Sequence, residues 1–381
     1  MRSILLSYLC RAFVGHSVEA LRYTRGLAEA NPGTEVHLAL SDRCVPEIAE
    51  GCPWIARIHP INLTALEESD DLSALGDLPR EWDYIVDDLT IVHETDHVDP
   101  ARLDPEAVAL RRYYRLTAGV LSARSGRGAL SPAMRLPGGL AYRPGTWVRL
   151  SVPESARRLA ARRTHAGPRI CVLLGGSFSY QWYPDVSSWI AILRALRDGL
   201  GDPRFYLTGL RQPRDGQTRT AGYTDADVAA VLGSGPDLVD CYDIGFWNQV
   251  ALMESCDLVI APRTGFAALA LCVGTPWLTI SGGDWPEYFF NGVPFYPVLP
   301  DDPGYPYRAH SYPQDTPVKV PSMRPEHLDA KIPEIVEAAK LLLDPGFGYE
   351  QAVRRYRDNI AKANVSRAHM LLPGDPALAT F

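Results

Sequence analysis

Short apolar runs alternate with amphipathic stretches along most of the chain. Near the start, SILLSYL (3–9) is an apolar run of strand length, and EVHLAL (35–40), IARIHPI (55–61) and WDYIVDD (82–88) follow it. Between the first two, HSVEALRYTRGLAEA (16–30) places Val18, Leu21 and Leu27 at helical spacing and ends before Asn31, Pro32 and Gly33. A short helix is expected around 45–49. Strand, helix and strand in this rhythm predict a parallel sheet with crossover helices. Residues 104–124 read as helical, and 125–150, rich in Gly, Pro and Arg, read as a loop-rich edge.

After ESARRLAARRTHAGP (154–168), a helix running into a linker, the alternation restarts. RICVLLGGS (169–177) is a strand entering a glycine turn, and VSSWIAILRALRDGL (186–200) is a helix. RFYLTG (204–209), DLVDCYDI (237–244), DLVIAP (257–262) and PWLTISGG (276–283) are further strands. DADVAAVLG, FWNQVALMESC and TGFAALALCVG are the helices between them. The pattern predicts two successive α/β units of domain size, placed at 1–150 and 168–345 with a linker at 151–167. The proline-rich stretch 300–321 reads as a long surface loop of the kind that borders sites. The last residues, from 346 to 381, are expected to form a helix and tail that pack back on the first domain.

Composition narrows the class. The 381 residues are 46% apolar and 22% charged, as in a globular protein. A net charge of −7 argues against nucleic acid and anionic membranes as partners. The opening MRSILLSYLC has a short apolar run broken by Ser7 and followed by Arg11, so it reads as a first strand and not as a signal peptide. No stretch is long and apolar enough to span a membrane. The seven cysteines are scattered without a CxxC pair, which predicts reduced, buried thiols in a cytoplasmic protein and no structural zinc.

In an open parallel sheet, ligands bind beyond the carboxyl ends of the strands, where helix N-termini present free N–H groups. In the second unit the residues following the strands are Gly175, Gly176, Ser177 and Ser179; Thr208 and Gly209; Arg263, Thr264 and Gly265; and Asp284. Backbone N–H groups, hydroxyls and one guanidinium together make a cradle suited to a diphosphate. Thr264 has a plainer reading as a helix cap. The glycine pair is followed by neither the Lys-Ser/Thr of an ATPase loop nor a GxGxxG pattern, so kinase and dehydrogenase chemistry are disfavoured.

Two segments carry a resemblance. LLGGSFSYQWYPD (173–185) and CDLVIAPRTGFAALALCVGTPWLTISG (256–282) are similar to the donor-binding domain of heptosyltransferase-like glycosyltransferases, family 9 of the inverting GT-B enzymes. The likeness covers 168–300 and is strongest at Thr264, Gly265 and the GTPWLTISGG segment. It implies a GT-B fold: two Rossmann-like α/β domains with parallel sheets facing across a cleft, acceptor domain first and donor domain second. It implies an inverting, metal-independent transfer of a sugar from a nucleoside-diphosphate sugar to a hydroxyl or amine of a natural product, glycan or peptide, with no cofactor. The chain departs from the family where an acidic residue gives way to Arg263, a histidine to Ala268, and a lysine before Trp-Pro to Tyr180 and Gln181, so the donor sugar is not carried over.

On that reading Gly176, Ser177, Ser179, Gln181, Thr208, Gly209, Arg263, Thr264 and Gly265 hold the donor diphosphate, Asp284 the sugar, and Tyr242 and Phe246 the nucleobase. The catalytic base comes from the first domain. His16 follows the first strand, and an imidazole with a pKa of about 6.5 accepts a hydroxyl proton at neutral pH. Asp88 and His93, in VDDLTIVHETDHVDP (86–100), are the reserves. His93 and His97 stand four apart but lack the HExxH order, so no metal site is expected there. Two other functions share the architecture or the pocket, a non-hydrolysing sugar-nucleotide 2-epimerase and a non-catalytic sugar-nucleotide or glycan-binding protein. A monomer or homodimer is expected.

Overall fold

The computed structural model describes residues 2–8, 14–41, 46–62, 77–79, 82–87, 140–143, 146–176, 184–211, 223–262, 264–280, 291–298 and 328–362. They divide into two compact units, with the boundary between Ser151 and Val152.

The first unit is built on four parallel strands: β1 (Arg2–Tyr8), β2 (Thr34–Ser41), β3 (Arg57–Ile61) and β4 (Tyr84–Asp87). Their order is β3-β2-β1-β4, so the chain works outward from β1 on one side and then returns to pair β4 against the other edge. Helix α1 (Val14–Ala30) makes the first crossover. Its Val18, Leu21 and Leu27 are buried, as are Ile4, Leu5, Leu6, Val36, Leu38 and Leu40 of the sheet. The helix ends where Asn31 donates through Nδ2 to the carbonyls of Leu27 and Ala141, each at 2.7 Å. The side chain thereby joins the helix end to the segment 140–143.

That segment lies hard against α1. Arg143 N–H donates to the Gly26 carbonyl at 3.1 Å, and a Cβ at Gly26 would collide with the Tyr142 ring and stand 2.6 Å from the Arg143 carbonyl. Tyr142 is buried, and burial pushes its phenol well above its usual pKa. Because backbone on one side and a buried ring on the other leave no room to give, Gly26→Ala should destabilise the first unit by about 1–3 kcal/mol. Denaturant unfolding with an unchanged midpoint would contradict that fit.

The second unit carries six parallel strands in the order β10-β9-β8-β5-β6-β7. These are β5 (Arg169–Val172), β6 (Arg204–Gly209), β7 (Leu238–Tyr242), β8 (Leu258–Pro262), β9 (Trp277–Ile280) and β10 (Phe295–Val298). Strands β8, β9 and β10 are buried along their whole length; β8 and β9 read in the sequence as apolar runs for that reason, with Thr279 the one polar interruption, whereas β10 has no such reading. Helix α2 (Glu154–Ala160), within the expected linker, packs on α5 (Phe246–Ser255). Arg157 grips Glu254 there with two hydrogen bonds of 2.7 Å. Crossovers are made by α3 (Val186–Leu200), α4 (Asp225–Leu232), α5 and the short α6 (Leu269–Cys272). Thr224 and Asp227 form a reciprocal capping box at the start of α4.

Helix α7 (Ile332–Leu343) packs on α3 and on the β9–β10 edge. The C-terminal helix α8 (Tyr349–Lys362) sets Tyr349 and Tyr356 against Phe295 of β10. Residues 346–381 are expected to cross back to the first domain; helix α8 packs instead on β10 of the second unit, and 363–381 lie outside the described residues. Cys52, Cys171, Cys241, Cys256 and Cys272 are buried thiols outside any disulfide. A hydrogen bond to Cys256, together with burial, pushes the Cys171 thiol up. No described helix is long and apolar enough to cross a membrane.

Candidate active site

In the second unit the chain steps from β5 to β6 to β7 in one direction, then jumps back so that β8 lies on the opposite side of β5. The carboxyl ends of β5 and β8 therefore border the topological switch point, where crossover connections diverge and leave a crevice. Register aligns the two turns. Val172 pairs with Ile260, and Leu173 N–H donates to the Ile260 carbonyl at 3.1 Å. Beyond that bond lie Gly175 and Gly176 on one side, and Pro262, Thr264 and Gly265 on the other.

Thr264 is 7% exposed, and its hydroxyl accepts from Ala267 N–H at 3.1 Å while its carbonyl accepts from Ala268 N–H at 3.3 Å. It thus caps the turn leading into α6. The hydroxyl oxygen serves the backbone, and its proton is the part with ligand chemistry to offer. Gly265 and Gly176 are both half-buried at this edge.

On the other side of β5, Gly209 ends β6 at a φ of 154°. Its carbonyl accepts from Gln249 Nε2 and from Asp243 N–H, both at 3.1 Å, and Gln249 is buried. Asp243 has a φ of 57° and Gly245 a φ of 91°. This left-handed bend delivers the chain into α5, whose start has no side-chain cap. Phe246 opens that helix, edge-on to Trp247 and Phe266.

Two expected site residues are placed otherwise. Thr208 is fully buried inside β6, and its hydroxyl donates to the Cys241 carbonyl at 3.1 Å. It is a sheet residue with no face toward a ligand. Tyr242 is 5% exposed, with the Arg211 guanidinium 5.1 Å over its ring. Arg211 is held there by Asp240 at 2.6 Å and Asp243 at 3.8 Å. The face expected to stack a nucleobase is occupied by a cation of the protein's own.

Gly176, Gly209, Thr264, Gly265 and Phe246 are thus brought to one edge of one sheet. His16 lies in the first turn of α1, inside the helix and not ahead of it; its side chain lies outside the described residues. Asp88, His93, Ser177, Ser179, Gln181, Arg263 and Asp284 lie outside them as well. Asp87, which precedes Asp88, pairs in register with Ser7 of β1. Among the described residues no group of His, Cys, Asp or Glu could hold a metal ion.

No protein-family profile matches the sequence, and comparison with curated proteins finds none significantly similar. Solved structures do match. The glycosyl transferase family 9 protein of Veillonella parvula superposes with a TM-score of 0.56 over 90% of this chain and 97% of its own, at 12% identity. The chain has a heptosyltransferase-like GT-B fold. The ADP-heptose lipopolysaccharide heptosyltransferase II of E. coli gives a TM-score of 0.52 over 90% of this chain and 98% of its own, at 14% identity. In both, nearly the full length is matched, so both units of the GT-B fold are present in this chain.

Proposed function

We propose that the protein is an inverting glycosyltransferase that moves a sugar from a nucleoside-diphosphate sugar to a hydroxyl or amine acceptor, without a metal ion. The observation that carries the reading is that a double-glycine segment after β5 and a threonine-glycine turn after β8 follow paired strands at the switch point of the second unit. Glycines let backbone N–H groups approach a pyrophosphate closely, and a capped helical turn directs its free N–H groups toward the same crevice. The GT-B fold supports the same reading.

The departing diphosphate then meets electrostatic stabilisation from Arg263, Thr264, Ser177 and backbone dipoles, with Asp284 on the sugar. Phe246 remains the aromatic suited to a nucleobase. The first unit supplies the acceptor pocket and the base, His16, with Asp88 and His93 as the alternatives. ADP is the first probe, because the E. coli neighbour is an ADP-heptose enzyme.

Thermal-shift titration with ADP, GDP, UDP and dTDP, followed by incubation with the matching nucleotide sugars, tests the assignment. Slow donor hydrolysis supports a transferase, a changed sugar an epimerase, and stabilisation without turnover a binding protein. Arg263→Ala should weaken nucleoside-diphosphate binding about 10- to 100-fold, the loss of one charge-assisted contact. Equal affinity by calorimetry would remove Arg263 from the cradle.

A further inference from the structure

Two glycines in succession make a turn that approaches a ligand closely, and they also make it loose. Neither has a side chain with which to anchor itself, and each has more backbone freedom to lose than any other residue. Something else must hold Gly175 and Gly176 if they are to present a fixed set of N–H groups. On the β5 side the pairing ends at Leu173 N–H. The next polar group, the Leu174 carbonyl, accepts a hydrogen bond from the indole Nε1 of Trp189 at 3.1 Å.

Trp189 is fully buried, four residues into α3. That helix is itself fixed at its start, where Asp185 accepts from Ser188 N–H at 2.7 Å and from the Ser187 hydroxyl at 2.8 Å. The Leu174 carbonyl alone would satisfy a buried indole N–H. Instead the same N–H is shared with the hydroxyl of Tyr223, at 3.0 Å. The Tyr223 hydroxyl in turn donates to the Pro184 carbonyl, and Tyr223 directly precedes the Thr224 cap of α4. One indole and one phenol therefore link the end of β5, the entry to α3 and the entry to α4. Leu174 and Pro184 bracket the glycine turn along the chain, and both of their carbonyls end in this network.

We propose that Trp189 and Tyr223 are positioning residues for the donor turn: their shared hydrogen bonds hold the backbone on both sides of Gly175–Gly176 and preorganise it for a diphosphate. Neither touches the ligand. Polarising one hydrogen bond by the next makes such a chain stronger than its separate links, and a preformed turn spares binding the entropy of ordering it. The diphosphate rests on the proposed transferase reading, whereas the holding of the turn does not.

Tyr223→Phe deletes one oxygen and retains the ring. Amide hydrogen exchange, read on peptides spanning 173–176 in the ligand-free protein, should quicken about 5- to 10-fold relative to wild type, while strands β5 and β8 exchange as before. Trp189→Phe, which keeps an aromatic in the core and removes the donor, should give the same local pattern. Unchanged exchange at the turn, or an increase spread evenly over the sheet, would overturn the proposal. Whichever of ADP, GDP, UDP or dTDP binds wild type should bind Tyr223→Phe about 5- to 10-fold more weakly, with kcat changed less than KM. If none binds wild type, the donor reading fails, and the exchange measurement still decides whether the clamp exists.

Discussion

Alanine at His16 is expected to lower sugar transfer at least about 100-fold and to leave nucleoside-diphosphate affinity near wild type, the signature of losing a general base and not a donor contact. Placement supports the choice. Helix α1 begins at Val14, directly beyond the carboxyl end of β1, and β1 lies between β2 and β4. The switch point of the first sheet is therefore at β1 and β4, and His16 stands in the first helical turn that follows it. Steady-state rates with a fixed donor and calorimetry with the diphosphate separate the two effects. Full turnover in the variant would pass the role to Asp88 or His93.

A second large effect concerns acid. His59 is 1% exposed on β3, and its Nε2 lies 3.2 Å from Nδ1 of His37 on β2. Trp82 meets both rings edge-on. Burial first, then the neighbouring His37 and Arg57, lower the His59 pKa from 6.5 to about 4, against the opposing pull of Asp77. Asp77 stands 3.9 Å from His59 Nδ1 and is itself paired with Arg57, while Glu35 lies 3.6 Å from His37 Nε2.

The folded state thus binds this proton less readily than the unfolded one. Its contribution to stability is fully present above pH 6.5 and is lost as the pH falls from there through about 4. Between pH 7.5 and 4.5 His59 should take from the first unit on the order of 1–3 kcal/mol, roughly a 10- to 100-fold change in its unfolding constant. Amide hydrogen exchange in urea, read on peptides of β2 and β3, follows the first unit, and His59→Gln should flatten the dependence. A wild-type profile as flat as that of the variant would show that His59 titrates normally.

Much of the architecture was legible because fully buried parallel strands are made mostly of apolar residues. DLVIAP and PWLTISGG announce β8 and β9 without any tertiary information. Thr208 was misplaced for a physical reason: after the apolar RFYL, a threonine before glycine suits a turn as well as a strand, and only the Cys241 carbonyl on β7 decides between them. Tyr242 failed likewise, since nothing near it in sequence reveals that Arg211 covers its ring.

The histidine pair went unseen because His37 and His59 each sit singly in a separate apolar run. Pairing β2 with β3 in register brings them together, with Ala39 opposite His59. The Trp189 network had one signal, a tryptophan on the buried face of a helix. A buried indole N–H must find an acceptor, and the glycine turn before the helix offered the nearest carbonyls.

The place of β5 in its sheet also governs how the protein is made. During synthesis β6 follows soon after β5 and covers one edge. The other edge waits for β8, which does not begin until Leu258. At about 5–20 residues per second the interval lasts several seconds, and throughout it the backbone of Ile170, Cys171 and Val172 offers hydrogen bonds to any passing strand. A nascent chain stalled with β6 outside the exit tunnel and β8 still inside it therefore displays an open apolar edge, and one stalled far enough beyond Pro262 for β8 to emerge does not. How long that edge of β5 stays open is set by where β8 falls along the chain.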